Sequence, residues 1–126
     1  MASLCGVDIV EIDRIKKAFE RNGKAFRDRI FTPREIEYCE SRRAAKYQSY
    51  SARFAAKEAF LKALGTGISR GMNLKDVEIL NDSNNKPYIL LSGKAKEQFN
   101  DIKGKNISMS LSHCKCHAVA IVIIEN

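Results

Sequence analysis

The chain has 126 residues, enough for one domain that buries roughly two thirds of its unfolded surface. Its 44% hydrophobic and 29% charged content is that of an ordinary soluble globular protein, no apolar run approaches the ~20 residues that span a bilayer, and Met1-Ala2-Ser3-Leu4 opens no secretory signal. The 22 Lys and Arg against 15 Asp and Glu give a net charge of +7, which favours an anionic partner without choosing among nucleic acid, membrane surface, phosphorylated ligand and acidic protein.

In chain order, Leu4 to Val10 is a short, mostly apolar run and reads as a buried strand. Glu11-Ile12-Asp13 opens a helix with acid at its start, where the helix dipole favours it. Ile12, Ile15 and Phe19 form its apolar stripe, and Asn22-Gly23 ends it, with a short helical stretch from Ala25 to Ile30 beyond. Thr32-Pro33-Arg34-Glu35 predicts a capping box with proline at the first helical position, for a helix to about Ser41. The next helix is expected from Ser49–Ser51 to Leu64, with Gly65 stopping it in a left-handed conformation. Leu74 to Leu80 and Pro87 to Leu91 read as strands joined by the polar turn Asn81 to Lys86. Ser92 is expected to cap a helix to about Phe99, and Ile107 to Ser112 alternates with period two. Ala118 to Ile124 is the last and most apolar strand. The order predicts an α+β domain, 1–126, with a mainly antiparallel sheet packed against helices.

The segment Arg53-Phe54-Ala55-Ala56-Lys57-Glu58-Ala59-Phe60-Leu61-Lys62-Ala63-Leu64-Gly65 concentrates the chemistry. Ala55, Ala56, Ala59, Phe60 and Ala63 share one wide helical face, while Lys57, Glu58 and Lys62 lie among Phe54 and Leu61 in the remaining sector. Charges set among large apolar side chains are costly unless paired or bound. The segment reads either as a metal or phosphate face or as an amphipathic helix with a solvated Glu58–Lys62 pair. Asp8, in the apolar strand beside Gly6, is a second such carboxylate, either satisfied by backbone N–H groups or an arginine, or a partner of Glu58. One carboxylate from a strand and one from a helix suit Mg²⁺, which takes one or two carboxylates plus phosphate oxygens and waters.

Gly65-Thr66-Gly67-Ile68, with Gly71 nearby, follows a helix instead of preceding one and lacks the Walker ending. It reads as a helix stop and tight turn that can also wall a site. In His113-Cys114-Lys115-Cys116-His117 an extended strand points the histidines away from the cysteines, and zinc sites prefer wider spacings; a sharp turn leaves zinc open. The four cysteines, Cys5, Cys39, Cys114 and Cys116, make no disulfide pattern and fit a reducing cytoplasm. No arrangement of serine, cysteine and histidine signals a nucleophilic triad.

Four ordered motifs carry a resemblance that spans nearly the whole chain: Gly6-Val7-Asp8-Ile9-Val10-Glu11-Ile12, Arg53 to Ile68, Asn85-Lys86-Pro87, and Ser110-Leu111-Ser112-His113. On these the chain resembles the holo-[acyl-carrier-protein] synthases of the 4'-phosphopantetheinyl transferase superfamily. The resemblance implies that 4'-phosphopantetheine passes from coenzyme A to a serine of apo acyl carrier protein, releasing adenosine 3',5'-bisphosphate, in support of fatty acid biosynthesis. It implies Mg²⁺ on Asp8 and Glu58, with Lys62 assisting the leaving group. It also implies coenzyme A contacts from Arg53, Lys57, Lys62, Gly65 and His113, and carrier contact from Arg14. Homotrimers with active sites between subunits are implied too. The partner supplies the serine nucleophile, and an acidic carrier gives the +7 charge a partner. Where relatives have a threonine followed by acidic or polar residues, this chain has Cys114-Lys115-Cys116-His117.

Two other readings compete. A small basic nucleic-acid-binding domain predicts binding that falls steeply with salt and needs neither Asp8 nor Glu58; the lack of tryptophan and of aromatics interleaved with cations speaks against it. A Mg²⁺-dependent phosphohydrolase would use water as nucleophile. The transferase reading, with no nucleic acid and no membrane as partner, is the expectation taken forward.

Overall fold

A computed structural model describes residues 2–65 and 72–126. Strand β1 (Ser3–Glu11) runs directly into α1 (Ile12–Ile30), followed by α2 (Pro33–Ser41) and the long α3 (Lys46–Leu64). Then come the hairpin strands β2 (Val77–Asn81) and β3 (Pro87–Leu91), helix α4 (Gly93–Asp101), and the closing hairpin β4 (Asn106–His113) and β5 (His117–Glu125). All strand pairing is antiparallel: one sheet has the order β1-β5-β4, and β2-β3 forms a separate ribbon. The α+β architecture expected from the sequence is the one observed.

The core follows from alternation in the strands and small residues in α3. Leu4 and Val10 of β1, Ala118, Ala120, Val122 and Ile124 of β5, and Ile107, Met109 and Leu111 of β4 face inward. Against them lies α3, whose Ala55, Ala56 and Ala59 are fully buried. Gly6 completes the contact: a Cβ there would collide with the Ala59 carbonyl oxygen and lie 2.7 Å from the Ala63 nitrogen. Only glycine lets β1 approach α3 this closely. The opposite face of the sheet stays open, with Val7 54%, Ile9 65% and Ile121 40% exposed.

Local signals explain most element ends. Thr32 and Glu35 form the predicted capping box with Pro33 behind them. Gly65 caps α3 at φ 79, its N–H donating to Leu61 O at 3.1 Å and Lys62 O at 3.0 Å. Gly23, at φ 47 and ψ −123, kinks α1 where the sequence predicts a stop and a second short helix.

Three boundaries differ from expectation. Helix α3 starts at Lys46, after a single 3-10 turn at Arg43–Ala45. Ser49 and Ser51 lie inside it, where the Ser49 hydroxyl receives Cys39 Sγ at 3.3 Å and Arg53 Nη1 at 3.4 Å. Leu74–Asp76 is a 3-10 turn capped by the Asn73 side chain, so β2 begins only at Val77. Ser92 precedes α4 but makes no cap; its hydroxyl instead donates to Asp76 Oδ1 at 3.3 Å. At Ser92 a partner 16 residues away in sequence outcompetes a local cap.

Candidate active site

Asp8 lies two residues beyond Gly6, so it shares the face of β1 that turns to α3. Glu58 and Lys62 stand one turn apart on α3. The close approach set by Gly6 brings these three side chains together. Lys62 Nζ donates to Asp8 Oδ1 at 2.9 Å and to the Val7 carbonyl at 3.1 Å. Lys62 is 54% exposed and Asp8 15%, so the ammonium keeps one N–H toward solvent while the carboxylate is largely covered. Glu58 is half-buried. Its carboxyl is pushed above the ordinary value by burial first and by the Asp8 charge second, with Lys62 pulling the other way.

Two cavities meet at Glu58. One, of about 330 Å³, is lined by Asp8, Glu11, Arg14, Arg21, Phe54 and Glu58 among others. The other, of about 660 Å³, lies between Phe26, Ile30, Phe54, Met72 and Leu74, with Arg29 and Lys75 among its lining. Phe26, Phe54 and Glu58 belong to both and form the wall between them. Behind this wall an aromatic cluster centred on Phe19 fixes α1 to α3, with ring centroids 5.4 Å from Phe26 and 4.6 Å from Tyr50. Arg21 joins Arg14 in the first cavity. The spacing of seven, two helical turns, is the sequence signal that pairs them.

Other expected residues lie elsewhere, and Lys57 requires a correction. Its Nζ is fully buried and donates to Glu35 Oε1 at 2.8 Å, Leu74 O at 2.9 Å and Val77 O at 2.8 Å. All three donors are used, so no N–H remains for a coenzyme phosphate. Burial pushes the Lys57 pKa down, and Glu35 partly restores it. Arg53 sits one turn before Lys57 and shares its direction, away from Glu58. Only 4% exposed, it stacks 4.2 Å over the Tyr38 ring and donates to Asn81 Oδ1. It lines a cavity of about 240 Å³ with Arg34, Tyr38, Asn81 and Tyr88. His113 ends β4, which β5 separates from β1, so within one chain it is not beside Asp8. Gly65 follows the site as the α3 cap, while Thr66, Gly67, Ile68 and Gly71 lie outside the described residues.

Among the described residues no three His, Cys, Asp or Glu side chains converge as a metal cluster, so zinc at His113–His117 finds no support. Asp8 and Glu58 offer two hard oxygen ligands, and Glu58 is lifted by its neighbour's charge in a partly desolvated setting. Such a pair fits a divalent cation that completes its shell from substrate oxygens and water, as Mg²⁺ does. The arrangement can therefore hold an anionic substrate through a cation, with Lys62 beside it and arginines lining one flank.

A model of the 4'-phosphopantetheinyl transferase superfamily matches residues 4–122. A holo-[acyl-carrier-protein] synthase of Ruminiclostridium cellulolyticum is 56% identical over 99% of this chain and 93% of its own length. One of Chloroherpeton thalassium is 48% identical over 95% of each chain. Among solved structures, the Helicobacter pylori holo-[acyl-carrier-protein] synthase in complex with coenzyme A superposes with a TM-score of 0.85 at 35% identity, covering 97% of this chain and 100% of that one. The Neisseria meningitidis enzyme gives 0.86 at 32% identity, covering 98% of each.

Proposed function

Since the chain belongs to the 4'-phosphopantetheinyl transferase superfamily, among its holo-[acyl-carrier-protein] synthases, we propose that one domain spanning 1–126 moves 4'-phosphopantetheine from coenzyme A to a serine of apo acyl carrier protein. The convergence of Asp8, Glu58 and Lys62 is the single observation that carries the site assignment. That a relative binds coenzyme A supports the choice of donor.

Asp8 and Glu58 would hold Mg²⁺, which when bound supplies positive charge against the pyrophosphate oxygens of coenzyme A. Lys62, anchored by Asp8 and the Val7 carbonyl, turns its remaining N–H to the oxygen that leaves with adenosine 3',5'-bisphosphate. Glu58 is raised above its ordinary value by burial and by the Asp8 charge, the direction that makes a carboxylate a better acceptor for the serine proton. The covered wall of Phe26 and Phe54 limits water around the reacting phosphorus.

Arg14 and Arg21, in the same cavity, offer charge to an acidic carrier. Gly65 and His113 bind coenzyme A, whereas Arg53, buried against Tyr38 and Asn81 and turned away from Glu58, does not reach it. The distance of His113 from Asp8 within one chain is met by a homotrimer whose subunits share each site, and the open apolar face of Val7, Ile9 and Ile121 supports such self-association. The reaction serves fatty acid biosynthesis in the cytoplasm; among the described residues no helix is long and apolar enough to cross a membrane.

Incubation with coenzyme A, Mg²⁺ and apo acyl carrier protein, followed by weighing the carrier by mass spectrometry, tests the assignment. The carrier is expected to gain the mass of one 4'-phosphopantetheine, and chelating the metal is expected to stop the gain. An unchanged carrier mass at saturating substrates would overturn it.

A further inference from the structure

The tip of the β4–β5 hairpin carries Cys114 and Cys116, both free and exposed. The Cys114 N–H donates to the His117 carbonyl at 2.9 Å and closes the turn, while the Cys116 carbonyl accepts the Ile12 N–H at 2.9 Å. Ile12 is the first residue of α1, two residues before Arg14. The tip is thus folded back on itself and tied to the helix that lines the active-site cavity. Two peptide units of about 3.8 Å each, bent by a turn, bring the two Cα atoms within about 7 Å, the reach of a disulfide. Backbone N–H groups of Cys116 and His117 hold the Cys114 thiol below its ordinary value, which raises its thiolate fraction. The other cysteines lack this setting. Burial pushes Cys39 up to about 11, and Cys5 lies near the far end of β1.

We propose that Cys114 and Cys116 form a thiol–disulfide couple that hydroperoxides close, and that closing it slows the transferase. The Cys114 thiolate attacks the peroxide; its O–O bond breaks, a sulfenic acid forms, and the departing alkoxide or hydroxide takes a proton. The Cys116 thiolate then attacks the Cys114 sulfur, the S–S bond forms, the S–O bond breaks, and water leaves. In total two thiols and one hydroperoxide give one disulfide, one alcohol or water, and one further water. A loop this short makes a strained disulfide, hence one that thiols reduce easily. Closure draws the Cys116 carbonyl away from Ile12, loosens the start of α1, and shifts both Arg14 and the neighbouring His113. The effect on turnover rests on the transferase reading; the disulfide does not.

The reduced full-length protein is treated with a small excess of hydrogen peroxide, denatured, alkylated and weighed intact, then digested with trypsin without reductant. Trypsin cuts after Lys115, so an intraloop disulfide keeps peptides 106–115 and 116–126 joined. The expected product is a monomer carrying two alkyl groups, on Cys5 and Cys39, where the untreated protein carries four, and lacking the two thiol hydrogens of Cys114 and Cys116. Its transfer rate falls by about tenfold or more, as misplacement at a reacting site does, and dithiothreitol restores it. The Cys114→Ser/Cys116→Ser variant is expected to keep its rate through the same treatment. Unlinked peptides, covalent dimers alone, a linked protein with undiminished turnover, or equal inhibition of the double variant would each overturn the proposal. Absence of transfer by the reduced protein would instead overturn the functional assignment, with the peptide result still deciding the disulfide.

Discussion

Glu58 is held in a setting that disfavours its own charge. A carboxyl raised in the folded state costs stability at pH above its unfolded value of about 4.5, and the cost disappears as pH falls below it. Glu58→Gln is therefore expected to lower transfer by about 10²-fold or more, as loss of one electrostatic partner in a site does. In the metal-free protein it should also raise the melting temperature at pH 7.5 and leave it unchanged near pH 4, by calorimetry. A melting temperature lowered at both pH values would contradict the assignment. Lys57, its neighbour in sequence, has the opposite character. Lys57→Met strands a buried Glu35 carboxylate and should cost about 3–5 kcal/mol in urea unfolding, since the pair is fully enclosed. Adding Glu35→Gln should recover part of this loss, because the amide oxygen can still accept from a backbone N–H of Thr32 or Ile79. The two carboxylates of the proposed site stood out in the sequence because each sits conspicuously in an apolar element, Asp8 in a strand and Glu58 in a helix. Lys57 did not. Its acceptors come from residues 17 to 22 positions away, and nothing in a Lys-Glu pair says which of the two turns inward.

Between elements, the decisive contact is that of β1 with α3. Gly6→Ala would drive a methyl group into the α3 backbone, and a helix backbone cannot give way as a flexible side chain can. The variant is expected to lose about 1–3 kcal/mol or more, as overpacked cores do. Its transfer rate should fall further than stability alone explains, because Asp8 rides on β1 while Glu58 and Lys62 ride on α3. Comparing rates with unfolding midpoints at low temperature separates the two effects. A variant that stays folded with full activity would argue against so tight a contact. Elements with self-contained signals were readable in advance: the Thr32–Glu35 capping box, the Gly65 stop and the alternation of β4 all involve residues within a few positions of one another. The start of α3 and the cap of α4 were misread because Ser49 and Ser92 spend their hydroxyls on Cys39, Arg53 and Asp76. Serine looks the same in a sequence whether it caps a helix or serves another element.

For the whole molecule, the sheet has one face filled by α3 and one face open. Ile9→Lys on that open face is expected to convert the proposed trimer to monomers in sedimentation and to reduce transfer strongly, since each site would lose its neighbour's share. A monomeric variant with undiminished turnover would show that each chain carries a complete site. The α+β class and strand order of appearance were legible, because they depend on local periodicity. The placement of Arg53 and Lys57 away from Glu58 was not, because it depends on how α2 and β2 close over α3. The pairing of β1 with β5 has a consequence in time. Ser3 lies opposite Glu125, and Ala2 and Asn126 exchange hydrogen bonds of 3.2 Å. During synthesis, β1 leaves the ribosome well before β5, its sole partner strand among the described residues, and waits until nearly all the intervening chain has been made. Such distant pairing slows folding. Asp8 therefore has no fixed position on a nascent chain, and catalytic competence arrives late and all at once.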